Sequence, residues 1–286
     1  MSLKKSTECR RSKFRPRISF FFENEIHDAP VRGFYHRTGR NVSVTDNSFT
    51  NADLVFRTSE GTALLSGNRF FESRLLLEQR RTHPSLREKV MIEDNHFQRR
   101  FETTAIPLIR LGNQVFENEI VFRRNILQNL VQPTGGKSKG AVIDFGSGGS
   151  VGRMDVSGNF FDHAGSESLL IGSTDVESRF SQNKVALRNV NGPLIRSVFN
   201  TIDSNTIHIP AGSEGRNSIP ALFVIEGHET GTIVYFENNR IVNESENVRI
   251  DSLIEVEGAP AEIRSGTNVV LRSWEPDERR AAYAPL

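Results

Sequence analysis

A short pattern of hydrophobic and polar positions recurs along the whole chain. Nine of its ten copies have an apolar residue three positions before an asparagine, and all ten have one two positions after it. The residue five positions before is often apolar as well, so the unit is apolar-x-apolar-x-x-Asn-x-apolar. This alternation predicts a short strand with one buried face. The ten asparagines are spaced 21 to 34 residues apart and are Asn24, Asn47, Asn68, Asn95, Asn125, Asn159, Asn183, Asn205, Asn239 and Asn268.

The alternation breaks at the asparagine, which predicts a sharp corner followed by a second strand. Asparagine suits a corner because it tolerates a positive φ angle and can hydrogen-bond to neighbouring backbone. A third apolar run closes each unit, as in "GAVIDFG" (140–146), "SLLIGS" (168–173) and "ALFVIEG" (221–227). Each unit therefore predicts three short strands and at least one fixed corner.

Units of this length with variable insertions are typical of the coils of a parallel β-helix. We predict an all-β protein whose solenoid has about ten coils, in which stacked asparagine amides bond to one another as an Asn ladder. A leucine-rich repeat fold fits less well because the sequence lacks a Leu-x-x-Leu-x-Leu pattern. A β-propeller fits less well because regular four-strand blades are missing. The predicted divisions are a basic, disordered arm (1–16), the β-helix (17–271) and a C-terminal cap or tail (272–286).

The corners "GNFF" (158–161), "DNHF" (94–97) and "NNRI" (238–241) resemble those of the right-handed parallel β-helix proteins of the pectate-lyase-like superfamily. The resemblance covers roughly residues 17–271 and implies a right-handed coil. Members of this superfamily include polysaccharide lyases, glycoside hydrolases, uronan epimerases, phage tailspikes and non-catalytic modules.

The chain departs from the enzymes of that superfamily. The clustered aspartates, Gly-His-Gly and Arg-Ile-Lys of polygalacturonases are absent, and so are the clustered calcium-binding acids of pectate lyases. The Lys and Arg pair of the chondroitinase-B-like alginate lyases has no clear counterpart. The resemblance therefore implies a fold and assigns no enzyme family.

Composition narrows the range of partners. The chain of 286 residues has a net charge of +1, which gives no electrostatic reason to expect nucleic acid as a partner. No apolar run is long enough to span a bilayer, so no membrane partner is expected.

Cys9 is the single cysteine, which excludes an internal disulfide framework. The basic start is not followed by the apolar stretch of a signal peptide, so the compartment stays open; it would be extracellular or periplasmic for a carbohydrate-active protein.

One row of the third strand carries the candidate catalytic residues. We predict that Arg110, Asp144 and Arg196 share an outward face, with Lys137 and Lys139 of a Gly- and Lys-rich insertion nearby as substrate-binding residues. Cationic groups there would stabilise the enolate of a lyase reaction, whereas a hydrolase needs two carboxylates. The alternative is a surface salt-bridge ladder of little energetic value. The whole predicted row is Phe56, Leu77, Arg110, Asp144, Ile171, Arg196, Val224 and Glu255.

A second candidate is the pair Asp162 and His163, directly after a corner. We predict a substrate-binding role, although neighbours on a strand point to opposite faces and turn residues that satisfy backbone groups are the alternative. We also predict that Phe71, Phe160 and Tyr235 face outward. No metal site is predicted, and the cofactor is left open, with calcium as one alternative.

These observations favour a carbohydrate-interacting β-helix that binds a polysaccharide, as a lyase or glycoside hydrolase acting on an acidic polymer. One alternative is a non-catalytic solenoid for adhesion, tailspike-like binding or scaffolding, and another is a fragment of a larger β-helix enzyme. The repeat begins near Ile18 and leaves little chain for an N-terminal cap. Since an open solenoid end exposes unpaired strand edges, oligomerisation through the first coil is a further expectation.

Overall fold

The computed structural model describes residues 18–28, 31–35, 41–58, 62–79, 89–100, 107–111, 116–130, 141–145, 151–165, 168–172, 178–190, 192–197, 199–215, 219–227, 232–258 and 261–272. These residues form 31 strands and no helix. Within them there is accordingly no helix able to cross a membrane. The predicted arm (1–16) lies outside the described residues, as does the predicted tail (272–286) apart from Arg272.

Three long sheets run the length of the molecule. Sheet A contains β1 (Ile18–Phe22), β4 (Asn41–Thr45), β7 (Thr62–Ser66), β10 (Lys89–Glu93), β13 (Phe116–Arg123), β16 (Val151–Ser157), β19 (Ser178–Ser181), β23 (Thr201–Asp203), β27 (Thr232–Glu237) and β30 (Ala261–Ser265). Sheet B contains β2 (Glu25–His27), β5 (Ser48–Thr50), β8 (Arg69–Phe71), β11 (His96–Arg99), β14 (Ile126–Asn129), β17 (Phe160–His163), β20 (Lys184–Leu187), β24 (Thr206–Ile209), β28 (Arg240–Asn243) and β31 (Val269–Arg272). Sheet C contains β3 (Val31–Tyr35), β6 (Leu54–Thr58), β9 (Leu75–Gln79), β12 (Ile109–Leu111), β15 (Ala141–Phe145), β18 (Ser168–Gly172), β22 (Ile195–Ser197), β26 (Ile219–Gly227) and β29 (Ile250–Gly258). A small fourth sheet pairs β21 (Asn189–Val190) with β25 (Glu214–Gly215).

Each strand of a sheet pairs in parallel with the matching strand of the next coil. Ten strands in sheet A and ten in sheet B give ten coils, so the prediction of a parallel β-helix of about ten coils is confirmed. We number the coils 1 to 10 by the ladder asparagine that each contains, from Asn24 to Asn268.

The corner between sheets A and B is built differently from the sequence prediction. None of the ten ladder asparagines has a positive φ angle; in nine of the ten coils the residue before the asparagine has one instead. A left-handed residue there bends the chain so that the following asparagine side chain turns inward. The nine residues with φ between 54° and 68° at this position are Glu23, Asp46, Gly67, Asp94, Arg124, Gly158, Gln182, Ser204 and Asn238.

The predicted Asn ladder is present and continuous. Asn159 illustrates one rung: its Nδ2 donates to Asn183 Oδ1 at 2.9 Å and to the Phe122 carbonyl at 3.0 Å. Its Oδ1 accepts from the backbone N–H of Asn125 at 2.9 Å and from Asn125 Nδ2 at 3.2 Å. Because both amide donors and the carbonyl oxygen are engaged, a buried polar side chain is accommodated without loss of hydrogen bonding. All nine links between the ten asparagines span 2.9–3.2 Å.

Stacked aromatic rings fill the interior beside the ladder. Phe49, Phe70 and Phe97 lie in parallel, with ring centroids 4.8 and 4.7 Å apart. Further along, the aromatic position shifts from sheet B to sheet A at Phe122 and returns at Phe161, where the centroids are 6.4 Å apart. These rings are fully buried, so burial of apolar area along one continuous column stabilises every coil against its neighbours.

The register of sheet C corrects part of the predicted outward row. Arg110 pairs with Leu76, and Leu111 pairs with Leu77, so the predicted row is displaced by one residue in the first coils. Phe56 and Leu77 are 0% and 1% exposed and belong to the core. A shift of one residue moves a side chain to the opposite face of a strand. From Arg110 to Glu255 the predicted register is confirmed.

Candidate functional site

The predicted catalytic residues share one outward row of sheet C but do not form an open site. Arg110 pairs in register with Asp144 on the next coil, and Arg196 lies two coils beyond Asp144. Asp144 is only 8% exposed, and the Nε of Arg110 is buried without a hydrogen-bond partner. Asp144 therefore has little surface that a large polymer could contact, whereas Arg110 is half-buried.

The charge of Arg196 is already compensated. Its Nη1 lies 2.7 Å from Glu257 Oε2 and 3.6 Å from Glu226 Oε1. A guanidinium between two carboxylates is a structural ion pair rather than a free anion-binding group. Lys137 and Lys139 lie outside the described residues. The ion pairs of Arg196 agree with the salt-bridge alternative at that position, and the catalytic role of the row stays a prediction.

Asp162 and His163 point to different surroundings. Asp162 accepts two hydrogen bonds from Arg188, at 2.7 and 3.1 Å, and this bond raises the pKa of Arg188. His163 is 2% exposed, and its Nδ1 lies 3.0 Å from Asn129 Nδ2. Buried contacts of this kind place neither side chain on an accessible surface, so the predicted substrate-binding role finds no support in these contacts.

The buried His163 is part of a short polar chain inside the solenoid. Arg99 Nε donates to Asn129 Oδ1 at 2.8 Å. Because an arginine can only donate, this bond fixes the Asn129 amide so that its Nδ2 faces His163. That Nδ2 lies 3.0 Å from His163 Nδ1. These contacts explain why the polar side chains of Arg99, Asn129 and His163 are tolerated at 0–7% exposure.

An open groove lies on the outer face of sheet A, between coils 6 and 9. One outward row supplies Asp155, Arg179, Thr201 and Tyr235, which pair in register from coil to coil. Arg153 projects from the same strand as Asp155, two residues earlier. The residues that line the groove are Arg153, Met154, Asp155, Ser178, Arg179, Asn200, Thr201 and Tyr235.

The aromatic side chain of the groove is held from one side. Tyr235 is 39% exposed, and the guanidinium carbon of Arg264 lies 5.8 Å from the centroid of its ring. Arg264 is in turn bound to Glu262 through an Nε–Oε1 contact of 2.8 Å, and this hydrogen bond lowers the pKa of Glu262. A cation near an aromatic ring is attracted by the ring quadrupole, so the Glu262–Arg264 pair steadies Tyr235.

The charges of the groove are unevenly compensated. Arg179 Nη2 lies 3.6 Å from Asp203 Oδ2, whereas Arg153 forms no ion pair with any carboxylate in the described part of the chain. Asp155 keeps one oxygen, Oδ1, buried without a donor. The groove thus combines an aromatic ring, an available guanidinium and a carboxylate on one face.

The sequence prediction recovered Tyr235 as outward-facing but missed the groove around it. Arg153, Asp155 and Arg179 stand four or six positions before a ladder asparagine, at outward positions of the first strand of each coil. That spacing was the available signal. Charged residues are more conspicuous in the otherwise apolar third strand, and the predicted site lies there for that reason.

No group of three or more His, Cys, Asp or Glu side chains that could hold a metal ion occurs among the residues the structure describes. No protein-family model matches the chain, and neither a curated protein nor a solved structure shows significant similarity to it.

Proposed function

We propose that this protein binds a linear polysaccharide in the groove on the outer face of sheet A. The observation that supports this most is the exposed ring of Tyr235 in one groove with the uncompensated guanidinium of Arg153. Saccharide rings present apolar faces that pack on aromatic side chains, while their hydroxyl groups need polar partners. Arg179, Thr201 and Asp155 supply such partners in the same row.

An acidic polymer is the preferred ligand class within this proposal. A guanidinium presents a planar set of donors that matches a carboxylate or sulfate group. Arg153 is the cation of the groove that has no carboxylate partner in the described ranges. The resemblance to the pectate-lyase-like superfamily agrees with this choice and belongs to the same proposal.

Binding, rather than a reaction, is the function that the groove supports best. Hydrolysis needs two carboxylates that face the scissile bond. Asp155 is the carboxylate of the row itself. Asp203, two residues after Thr201 on the same strand, is held by Arg179 and by hydrogen bonds from Ser204 Oγ and Asn238 Nδ2, both 3.0 Å long. Lyase or hydrolase activity on an acidic polysaccharide is therefore kept as a second outcome of the experiment below.

Calorimetric titration with oligosaccharides of pectate, alginate, chondroitin and hyaluronan, and with a neutral glucan, tests the proposal. We expect an acidic ligand to bind at least tenfold more tightly than the neutral one. Tyr235→Ala should weaken binding of the best ligand about tenfold through loss of ring packing. Arg153→Gln should remove the preference for acidic ligands. Absorbance of unsaturated uronate products in the same samples reports lyase activity.

Arg249→Gln is the matched control, because Arg249 is an exposed arginine that pairs with Asp251 away from the groove. It should bind like the wild-type protein. The proposal fails if no polymer binds, or if Tyr235→Ala and Arg153→Gln bind as tightly as the control while all three variants keep the wild-type circular dichroism spectrum.

A further inference from the structure

In the middle of the molecule, the first outward row of sheet B combines exposed apolar side chains with positively charged ones. From coil 5 to coil 9 it contains Ile126, Phe160, Lys184, Thr206 and Arg240, paired in register from coil to coil. We call these five residues the sheet B ridge. All five side chains are exposed. With about 4.8 Å between neighbouring strands, the ridge is roughly 19 Å long.

The apolar end of the ridge is not required by the fold. Ile126 and Phe160 are neighbours on coils 5 and 6, and they are 42% and 40% exposed. Ser48 in coil 2 and Thr206 in coil 8 occupy the same row, so a small polar side chain satisfies this position. Two adjacent apolar side chains exposed to water are typical of a surface that contacts a partner.

The other end of the ridge carries positive charge without compensation. Neither Lys184 nor Arg240 lies within salt-bridge distance of a carboxylate in the part of the chain that the structure describes. Several cations elsewhere in the described residues are paired, on sheet A and beside the strand ends. The examples are Arg74 with Asp53, Lys89 with Glu119, Arg124 with Asp94, Arg188 with Asp162, and Arg264 with Glu262.

We infer that the sheet B ridge docks an acidic protein segment that carries apolar side chains. Two apolar side chains of the segment would cover Ile126 and Phe160, and its carboxylates would face Lys184 and Arg240. Complementary charge at such a surface guides orientation and association, and burial of the apolar pair adds affinity. A polysaccharide is disfavoured because the Ile126 side chain offers neither an aromatic ring nor a hydrogen-bonding group. The ridge and the groove lie on different sheets, so this inference is independent of the proposed saccharide binding.

Fluorescence anisotropy with a labelled peptide, Gly-Ser-Leu-Ser-Leu-Ser-Glu-Ser-Glu-Gly, tests the inference. One control peptide has lysines in place of its glutamates, and the other has serines in place of its leucines. We expect the wild-type protein to bind the first peptide at least tenfold more tightly than either control. Phe160→Thr should weaken this binding about tenfold, and Ile126→Thr should act in the same direction. The double variant Lys184→Glu, Arg240→Glu should prefer the lysine peptide.

Tyr235→Ala is the control that separates this surface from the groove, and it should bind the acidic peptide like the wild-type protein. Matching thermal unfolding curves would show that the ridge variants are folded. The inference is wrong if the acidic peptide does not bind at millimolar concentration or if ridge variants bind it normally. It is also wrong if polygalacturonate displaces the peptide equally from the wild-type and Phe160→Thr proteins, because the ridge would then be a general polyanion surface.

Discussion

At the scale of single residues, two neighbouring positions have different roles in each corner between sheets A and B. The left-handed residue makes the bend, and the asparagine after it satisfies the backbone groups that the bend leaves open. In coil 6, for example, Gly158 has φ 64° and Asn159 makes the hydrogen bonds. The amide is suited to this role because it donates and accepts through the same planar group. A carboxylate of the same shape can only accept.

Asn159→Asp tests the importance of the amide donors. The aspartate would lose the bonds to the Phe122 carbonyl and Asn183 Oδ1 and would place a charge at a position that is 1% exposed. We expect the free energy of unfolding to fall by about 3 to 5 kcal/mol, the usual cost of an uncompensated buried charge. Urea denaturation at neutral pH measures this change.

Asn268→Asp is the matched substitution at the last rung, which is half-buried. Water can solvate the carboxylate there, so a loss of about 1 kcal/mol is expected. Equal losses at the two positions would contradict a role for burial in the strength of the ladder.

At the scale of elements, the residue type at the bend is free as long as it accepts a left-handed conformation. The nine bends are filled by Glu, Asp, Gly, Arg, Gln, Ser and Asn. This variety explains why the repeat is recognised through the asparagine and not through the residue that turns the chain. Glycine is required only where a neighbouring side chain occupies the space of a Cβ atom.

Gly67 and Gly158 form a matched pair for this point. A Cβ atom on Gly67 would lie 2.2 Å from Asp46 Oδ1, whereas the nearest atom to a Cβ on Gly158 is Arg124 Cγ at 4.0 Å. Gly158→Ala should cost about 1 kcal/mol for the left-handed backbone alone, and Gly67→Ala should cost about 2 kcal/mol because of the additional clash. Thermal or urea unfolding of both variants measures the difference.

Two further variants sharpen this comparison. Gly158→Asn should change stability by less than about 0.5 kcal/mol, since asparagine tolerates this conformation and Asn238 adopts it with φ 55°. Adding Asp46→Gly to Gly67→Ala should recover the cost of the clash. If Gly67→Ala and Gly158→Ala are equally stable, Asp46 moves aside without cost and the steric explanation is wrong.

At the scale of the whole molecule, each coil contacts mainly the coil before it and the coil after it. Stability in such a solenoid is close to a sum of coil and interface contributions. The last coil is less well covered than the central coils. Ile263 is 38% exposed, whereas Val234, its partner one coil earlier, is fully buried. Val270 is half-buried, whereas its partner Ile241 is fully buried.

Hydrogen exchange followed by mass spectrometry should therefore show a gradient along the axis. Backbone amides of β14, β17 and β20 should exchange about tenfold or more slowly than those of β30 and β31, because local opening at a less buried end needs less free energy. Asn268→Asp should speed exchange in the last coil and leave β14 unchanged. Uniform exchange in all coils would instead indicate a single cooperative unit.

The amino-acid sequence by itself determined the repeating part of this protein. The hydrophobic positions around Asn68 or Asn159 predict a strand, a corner and a stacked coil, because period-two burial and a buried amide are local properties that recur in every unit. Outward positions were predictable where the alternation is strict, as at Tyr235 and Phe160. Only the tertiary structure decided which exposed groups meet. The number of residues between successive ladder asparagines varies, so the sequence does not fix which residues of neighbouring coils pair. The pairing of Arg110 with Leu76 and the ion pair between Arg196 and Glu257 depend on contacts between residues that are distant in the sequence. The groove at Tyr235 and the ridge at Phe160 exist for the same reason: each takes side chains from four or five consecutive coils, and stacking of these coils brings the side chains together.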